Sequence, residues 1–520
     1  MKRDVSFFLK WMAVIALVML LPDTVRGQQP VTRPALDQNI SIYAENEPLS
    51  DILERICNYL NIDYTYNAQL VSDKRISLNI SNKPVKFVLD KLMQDFYLIF
   101  EIEGNLMVVR EYVPLEESID FERGSRDFGM NRGFLIENPR DKSVTIKFKS
   151  ASNLIIIPVT INGSDTLNFI LDSGVRFPII TELPFINKLN LNYLMPVEVK
   201  GLGEGESLTA YRSGNNTLNI EGMVARNQEV QMVIDENFQI SHILGLPVHG
   251  LIGFNLFKDY VVRIDYQREL ITLWRHEHFK YRDRSRDIIL PLHFEGYKPY
   301  IFTSIVMEDM TEVPVKLLVD TGASDALWLS ELSDERITIP LRHIDTFLGK
   351  GLSGDLFGAK GRIDGIWVGP LVLPRPIVSF PESGMIAQLI SQNDRNGTLG
   401  AEILRRFIVT IDYRHARLTL TPTPLVRQDF NYNMSGMEVI NPMPGLPIFI
   451  ISNIQKDSPA ALAGLQENDQ IITINNNHHR SMSLNDINLL LQSREDRRIR
   501  MKVLRGGEEV RTTFALKSEF

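Results

Sequence analysis

The sequence predicts a multidomain, mainly β protein: two homologous β-lobes in series, flanked by two smaller modules. Three observations carry this. FILDSG at 169–174 is matched by LLVDTG at 317–322, with the two aspartates 148 residues apart. VVRIDYQRELITL at 261–273 is matched by IVTIDYRHARLTL at 408–420 at almost the same offset. Around these landmarks apolar, β-branched runs alternate with Gly, Asn and Asp turns, and sustained helical periodicity is scarce.

A chain of 520 residues with 44% hydrophobic content supplies three to five cores. The formal net charge is −8, and the signs are mixed along the chain. No long basic tract is available for phosphate, which argues against nucleic acid as the main partner.

The N-terminus reads as a signal peptide over 1–27. Lys2 and Arg3 precede an almost unbroken apolar run from Trp11 to Leu21, Pro22 ends it, and Gly27 offers a small residue for cleavage. The alternative is a retained anchor, because Phe7 to Leu21 is longer and only Lys10 interrupts it. Either way the chain is expected to be exported, to the periplasm or cell envelope of a Gram-negative bacterium. Its lone cysteine, Cys57, excludes an intramolecular disulfide and reads as a buried structural thiol.

Residues 38–112 carry a smaller repeat. ISIYAENEPL at 40–49 and ISLNISNKPV at 76–85 each read as a strand, then Asn-x-Pro, then a helix. Leu49, Ile52, Leu53, Ile56 and Leu60 follow the helical period, as do Val85, Val88, Leu89, Leu92 and Met93. Strands 98–102 and 106–109 close the unit. This pattern resembles the STN module of secretins and TonB-dependent transducers. The resemblance implies a periplasmic interaction domain that docks an envelope protein. The charged stretch 113–144 is expected to be a linker.

The lobes are assigned to 145–275 and 288–424. A carboxylate at the end of an apolar strand is desolvated, and a following Ser or Thr and Gly make a tight turn. Two such turns face to face would bring Asp172 and Asp320 within hydrogen-bonding reach, where one proton is shared. One carboxyl can then act as base and the other as acid, without a metal, a cofactor or a nucleophilic side chain. LLVDTGAS at 317–324, with LIG at 251–253 and TLG at 398–400, resembles the active-site elements of retropepsin-like and pepsin-like aspartic peptidases. The resemblance implies a bilobal, acid-protease-like pair of β-barrels with Asp172 and Asp320 as the catalytic dyad. It also implies that Ser173, Gly174, Thr321 and Gly322 support the loops. The Gly-rich stretches 201–211 and 349–361 are candidate flaps. Val175-Arg176 departs from the Ala323-Ser324 of lobe 2, and an arginine there could depress a dyad pKa. Asp265 and Asp412 read as turn or strand-end residues. His276 and His278 read as part of a solvated linker and His478-His479 as surface, so no metal site is expected.

The module at 433–518 carries SPAALAGLQENDQIITINN, and a helical stripe of Leu484, Ile487, Leu490 and Leu491. It resembles PDZ domains of the bacterial high-temperature-requirement protease type. The resemblance implies capture of a peptide C-terminus by strand addition. The expected groove is Gly445, Leu446, Pro447, Ile448, Phe449 and Ile450, facing Leu484 and Ile487. Pro447 removes one N–H donor. The combined expectation is an aspartic endopeptidase acting on polypeptide substrates. Its rival is a catalytically silent periplasmic scaffold that captures polypeptide.

Overall fold

The structure is a computed structural model. It describes residues 36, 38–66, 71, 74–96, 98–103, 106–111, 133–181, 189–191, 195–199, 208–233, 240–282, 284–351, 354–382 and 394–520. The expected signal peptide lies outside the described residues. Two compact units divide at Tyr112 and Val113.

In the first unit the repeat strands Asn39–Pro48 and Arg75–Pro84 pair antiparallel, with Ile42 opposite Ile80. Each runs directly into a helix, Leu49–Leu60 and Val85–Asp95. The proline before each helix costs no intrahelical hydrogen bond, because the first-turn N–H groups have no partner there. Leu49, Ile52, Leu53 and Ile56 are fully buried, each contributing about 1.5–3 kcal/mol against exposure. A second sheet runs Asp63–Tyr66, Leu106–Glu111, Leu98–Glu103. Cys57 sits in this core, where burial pushes its thiol up to about 12 and leaves it inert.

The second unit is built on the larger repeat. In lobe 1, Leu167–Leu171 lies antiparallel to Leu154–Ile161 and parallel to Gly250–Ile252. Lobe 2 repeats this with Glu312–Val319 between Lys298–Val306 and Gly397–Leu399. The parallel strand fixes each aspartate: Asp172 N donates to Ile252 O at 2.8 Å and Asp320 N to Leu399 O at 3.0 Å. Gly253 then packs so closely that a Cβ would lie 1.7 Å from the Asp172 carbonyl oxygen.

A six-stranded sheet joins the lobes, in the order Ile288–Pro291, Arg417–Pro422, Phe407–Asp412, Val261–Asp265, Leu270–Trp274, Ser143–Lys147. Its two central strands carry the Ile-Asp pairs, and Arg263 faces Thr410. Those two are equivalent residues of the repeat, so a pseudo-two-fold axis passes between them.

Two expected linkers are corrected. Residues 133–144 belong to lobe 1: Leu135–Ile136 pairs with Met223–Val233, and Ser143 opens the sixth strand of the joining sheet. Buried Phe134 and Ile136 anchor the stretch, with Tyr260 Oη donating to Phe134 O at 2.8 Å. His276 is likewise not solvated; its side chain is only 10% exposed and faces Asp412.

The C-terminal module is a sheet in the order Met437–Ile440, Ile450–Ile454, Gln470–Ile474, Arg498–Arg505, Glu508–Ala515. Ser458 caps the short helix Pro459–Leu462, and Ser483 with Asp486 forms a capping box on Leu484–Leu491. One apolar core runs from the lobes into this module. Fully buried Arg406 seals the junction: it pairs with Glu402 at 2.9 Å, donates to Leu425 O at 3.1 Å and covers the Phe430 ring at 3.5 Å.

Candidate active site

The two Asp-[Ser/Thr]-Gly turns meet across the pseudo-two-fold. Ser173 N donates to Thr321 Oγ1 at 3.0 Å and Thr321 N to Ser173 Oγ at 3.1 Å. Each hydroxyl in turn donates to the opposite lobe, Ser173 to Val319 O at 2.7 Å and Thr321 to Leu171 O at 2.8 Å. Both residues are wholly buried, so four reciprocal hydrogen bonds lock the loops in a place where water cannot substitute. Gly174 N and Gly322 N hold the carboxylates, donating to Asp172 Oδ1 at 2.7 Å and Asp320 Oδ1 at 2.8 Å. A side chain at Gly322 would start 2.4 Å from the Asp172 carboxyl carbon. Gly322 is therefore the space into which the partner carboxyl fits.

The carboxyls are half-buried and close enough to act directly on each other, both lying within 4 Å of where a Cβ on Gly174 would stand. Burial pushes Asp172 well above the usual carboxylate range, and the charge of Asp320 adds to this. Burial raises Asp320 as well, but the Gly322 N–H, Arg395 and Lys298 pull against it. Both cations are lobe 2 residues that sequence reasoning missed. Arg176, the expected influence, lies over the Phe177 ring at 4.9 Å and acts on Glu229 and Tyr297. Val175 is absorbed into an apolar cluster with Ile170, Ile179 and Leu251. Its carbonyl accepts from Phe254 N at 2.9 Å, as the Ala323 carbonyl accepts from Ala401 N at 2.7 Å. The lobe 1 departure thus leaves the loop geometry intact.

Strands flank both Gly-rich stretches. In lobe 1, Met195–Val199 pairs with Leu208–Ile220, and residues 200–207 lie outside the described residues. In lobe 2, His343–Gly351 pairs with Gly354–Arg362.

The expected peptide groove of the C-terminal module is corrected. Ile450 begins a strand inside the sheet, paired with Met437–Ile440 on one side and Gln470 on the other. Gly445, Leu446, Pro447, Ile448 and Phe449 form the turn leading into it and offer no free edge. The edge strand is Met437–Ile440, and Leu484 and Ile487 of the facing helix are fully buried. Lobe 1 covers one end of this edge, with Asn441 N donating to His242 O at 2.9 Å. The other end opens on a cavity of about 520 Å³ shared with lobe 2. Gly436, Met437 and Glu438 line it opposite Ser324, Asp325, Phe347 and Lys360; the dyad itself does not.

Comparison with known proteins agrees with this architecture. The family model described as aspartyl protease matches residues 157–256, and the model described as PDZ domain matches residues 450–505. The chain therefore carries an aspartyl-protease-type domain and a PDZ domain. It is also similar to a protein named inactive protein tyrosine kinase pTKL from Plasmodium falciparum (isolate 3D7), 26% identical over 132 residues. That alignment covers 25% of this chain and 8% of the relative's length.

Proposed function

We propose that the chain is an aspartic endopeptidase that hydrolyses peptide bonds in exported polypeptides. One observation carries the reading: two carboxyls, one per lobe, are held side by side by the braced turns, and both are pushed toward the protonated form. The pair then holds one proton at working pH. Lys298 acts on both carboxyls, but Arg395 favours the charge on Asp320, so Asp320 is assigned as base and Asp172 as acid. Asp320 takes a proton from the attacking water while Asp172 donates to the scissile carbonyl oxygen. As the tetrahedral intermediate collapses, Asp320 protonates the leaving nitrogen and the C–N bond breaks. The hydroxyl proton returns to Asp172, which restores the starting pair.

The PDZ domain is assigned to hold polypeptide termini, with Met437–Ile440 as the edge that accepts an added strand. The N-terminal module is assigned as an STN-like docking module for an envelope protein. Export rests on the signal-like residues 1–27; among the described residues no helix is long and apolar enough to cross a membrane.

The test is cleavage of a broad peptide library by the purified chain between mildly acidic and neutral pH. Expected is activity that survives chelators and serine-directed reagents and is blocked by a tetrahedral-intermediate mimic. No cleavage, or equal residual activity in wild type and Asp320→Asn, would replace the enzyme with the silent scaffold.

A further inference from the structure

The two Ile-Asp-Tyr segments provide an internal control. In lobe 1, Asp265 Oδ1 accepts from Arg268 N at 3.1 Å, closing the turn after its strand. In lobe 2, Asp412 Oδ1 accepts from His415 N at the same distance. The backbone role is identical, and lobe 1 fulfils it with a solvent-facing arginine whose side chain is 78% exposed. Lobe 2 adds chemistry that the turn does not need. Asp412 is fully buried, its Oδ2 lies 2.8 Å from His415 Nδ1, and its Oδ1 lies 3.5 Å from His276 Nδ1. Donor atoms of all three residues lie within 4.8 Å of one another.

His276 is the telling member. Its side chain is nine-tenths buried; Nδ1 meets only the Asp412 carboxylate, at a long 3.5 Å, and Nε2 makes no hydrogen bond. A buried ring nitrogen with no partner, and a second one held only at long range, is costly unless another ligand satisfies them. Tyr281 Oη donates to Asp412 Oδ2, which fixes the carboxylate from behind. The neighbouring guanidinium of Arg417 is turned away, lying over the Tyr281 ring at 4.0 Å and donating to Thr419 Oγ1 at 3.2 Å. His415 is 55% exposed, so the cluster opens to solvent on one side.

We propose that His276, Asp412 and His415 form a divalent transition-metal site of the zinc type, clipping lobe 1 to lobe 2. Two imidazoles and one carboxylate match the zinc donor set with a fourth position open to water, whereas calcium and magnesium want oxygen ligands. His276 follows the last strand of lobe 1, Asp412 ends a central strand of lobe 2 and His415 lies in the turn after it. The ion would therefore pin the joining sheet from both sides. It would not take part in the dyad's chemistry: Tyr413, next to Asp412, feels both dyad charges, and alternation along the extended chain turns Asp412 to the other face.

The test uses the full chain, stripped of metal with a chelator. Cobalt(II) is titrated while its visible absorption is followed, then displaced by zinc(II); melting is recorded with and without zinc. Expected is one saturable equivalent with a tetrahedral cobalt spectrum and a zinc-dependent rise in Tm. His276→Ala and His415→Ala should each abolish both, and Tyr281→Phe should weaken binding about tenfold. The control His478→Ala/His479→Ala should keep both. His415 is exposed, so its variant tests the site without threatening the fold. No saturable binding, or binding unchanged in His415→Ala, overturns the proposal and leaves the cluster as a hydrogen-bonded latch.

Discussion

At the position where lobe 2 carries Arg395, lobe 1 carries Val248. The strand register likewise sets Lys298 of lobe 2 against Leu154 of lobe 1. Leu154 and Val248 belong to the apolar cluster that also takes in Val175. Lobe 1 thus supplies aliphatic side chains at positions where lobe 2 supplies cations, of which Lys298 reaches both carboxyls and Arg395 acts on Asp320. The backbone around them stays equivalent even where side chains differ. His249 Nδ1 accepts from Asn168 N at 2.9 Å in lobe 1, and Asn396 Oδ1 accepts from Lys316 N at 2.8 Å in lobe 2. Duplication preserved the hydrogen-bonded frame, because an unpaired buried donor is penalised in both copies. It left the electrostatics free to diverge, and that divergence is what the proposed split of base and acid between two identical carboxyls rests on.

The harshest test of that division is to remove either carboxyl. Asp172→Asn and Asp320→Asn should each lower turnover by about 10³-fold or more, because acid and base work as one unit. Stability should move the other way. Both groups are raised in the fold, so the native state binds protons more tightly than the unfolded chain. Ionising them costs stability as pH rises above the ordinary Asp value of about 3.9. Asn variants should therefore melt no lower than wild type at neutral pH, and any gain should vanish on acidification. A large drop in Tm near pH 7 would mean that the pair is an ordinary structural contact.

A second contrast lies at the end of the short helix of each lobe. Arg406 of lobe 2 is buried and bonded to Glu402 and several carbonyls, whereas its lobe 1 counterpart, Asp259, is exposed. Arg406→Ala should cost about 3–5 kcal/mol, because it strands a buried set of acceptors. Asp259→Ala should stay within about 0.5 kcal/mol. Denaturation midpoints of the two variants decide this, and similar values would show that the PDZ junction does not depend on Arg406. Smaller effects belong to the brace between the turns. Ser173→Ala and Thr321→Ala should each cost roughly 1–3 kcal/mol, and the double variant should cost less than the sum, because the four bonds are shared. Additive losses would show two independent caps.

The paired Asp-[Ser/Thr]-Gly turns were legible because a repeat exposes what must be kept: motif, spacing and the glycines that close approach demands; the start of lobe 1 was not, because residues 133–144 read as charged linker. The cations were not legible, since a lone Arg395 or Lys298 has no repeat partner and nothing local marks it. The peptide edge was misassigned for a different reason. Ile448–Ser452 is an apolar run, but apolar runs mark strands buried between neighbours at least as well as edges. Met437–Ile440 is shorter and less conspicuous. His276 was read as solvated because HEHFKYRDRSRD is so charged, and composition could not reveal that Tyr281 and His276 fold back on Asp412.

The subtlest prediction concerns the asymmetry itself. Arg395 lowers the pKa of Asp320, and Asp320 must be ionised to act as base. Replacing Arg395 with Met keeps an unbranched stem and removes the charge. The Asp320 pKa should then rise, so a higher pH is needed to remove the first proton from the pair. The acidic limb of the kcat/KM profile should move upward, while the plateau changes far less than in the aspartate variants. Arg395 also donates to Gly397 O at 2.8 Å, so a structural loss alone would lower the plateau without moving the limb. The mirror change in lobe 1, Val248→Met, should leave the limb in place, because no cation stands there to be lost. Arg176→Ala separates the two accounts further. If that variant moves the limb as much as Arg395→Met does, charge at the lobe 1 turn controls the dyad and the assignment of base to Asp320 fails.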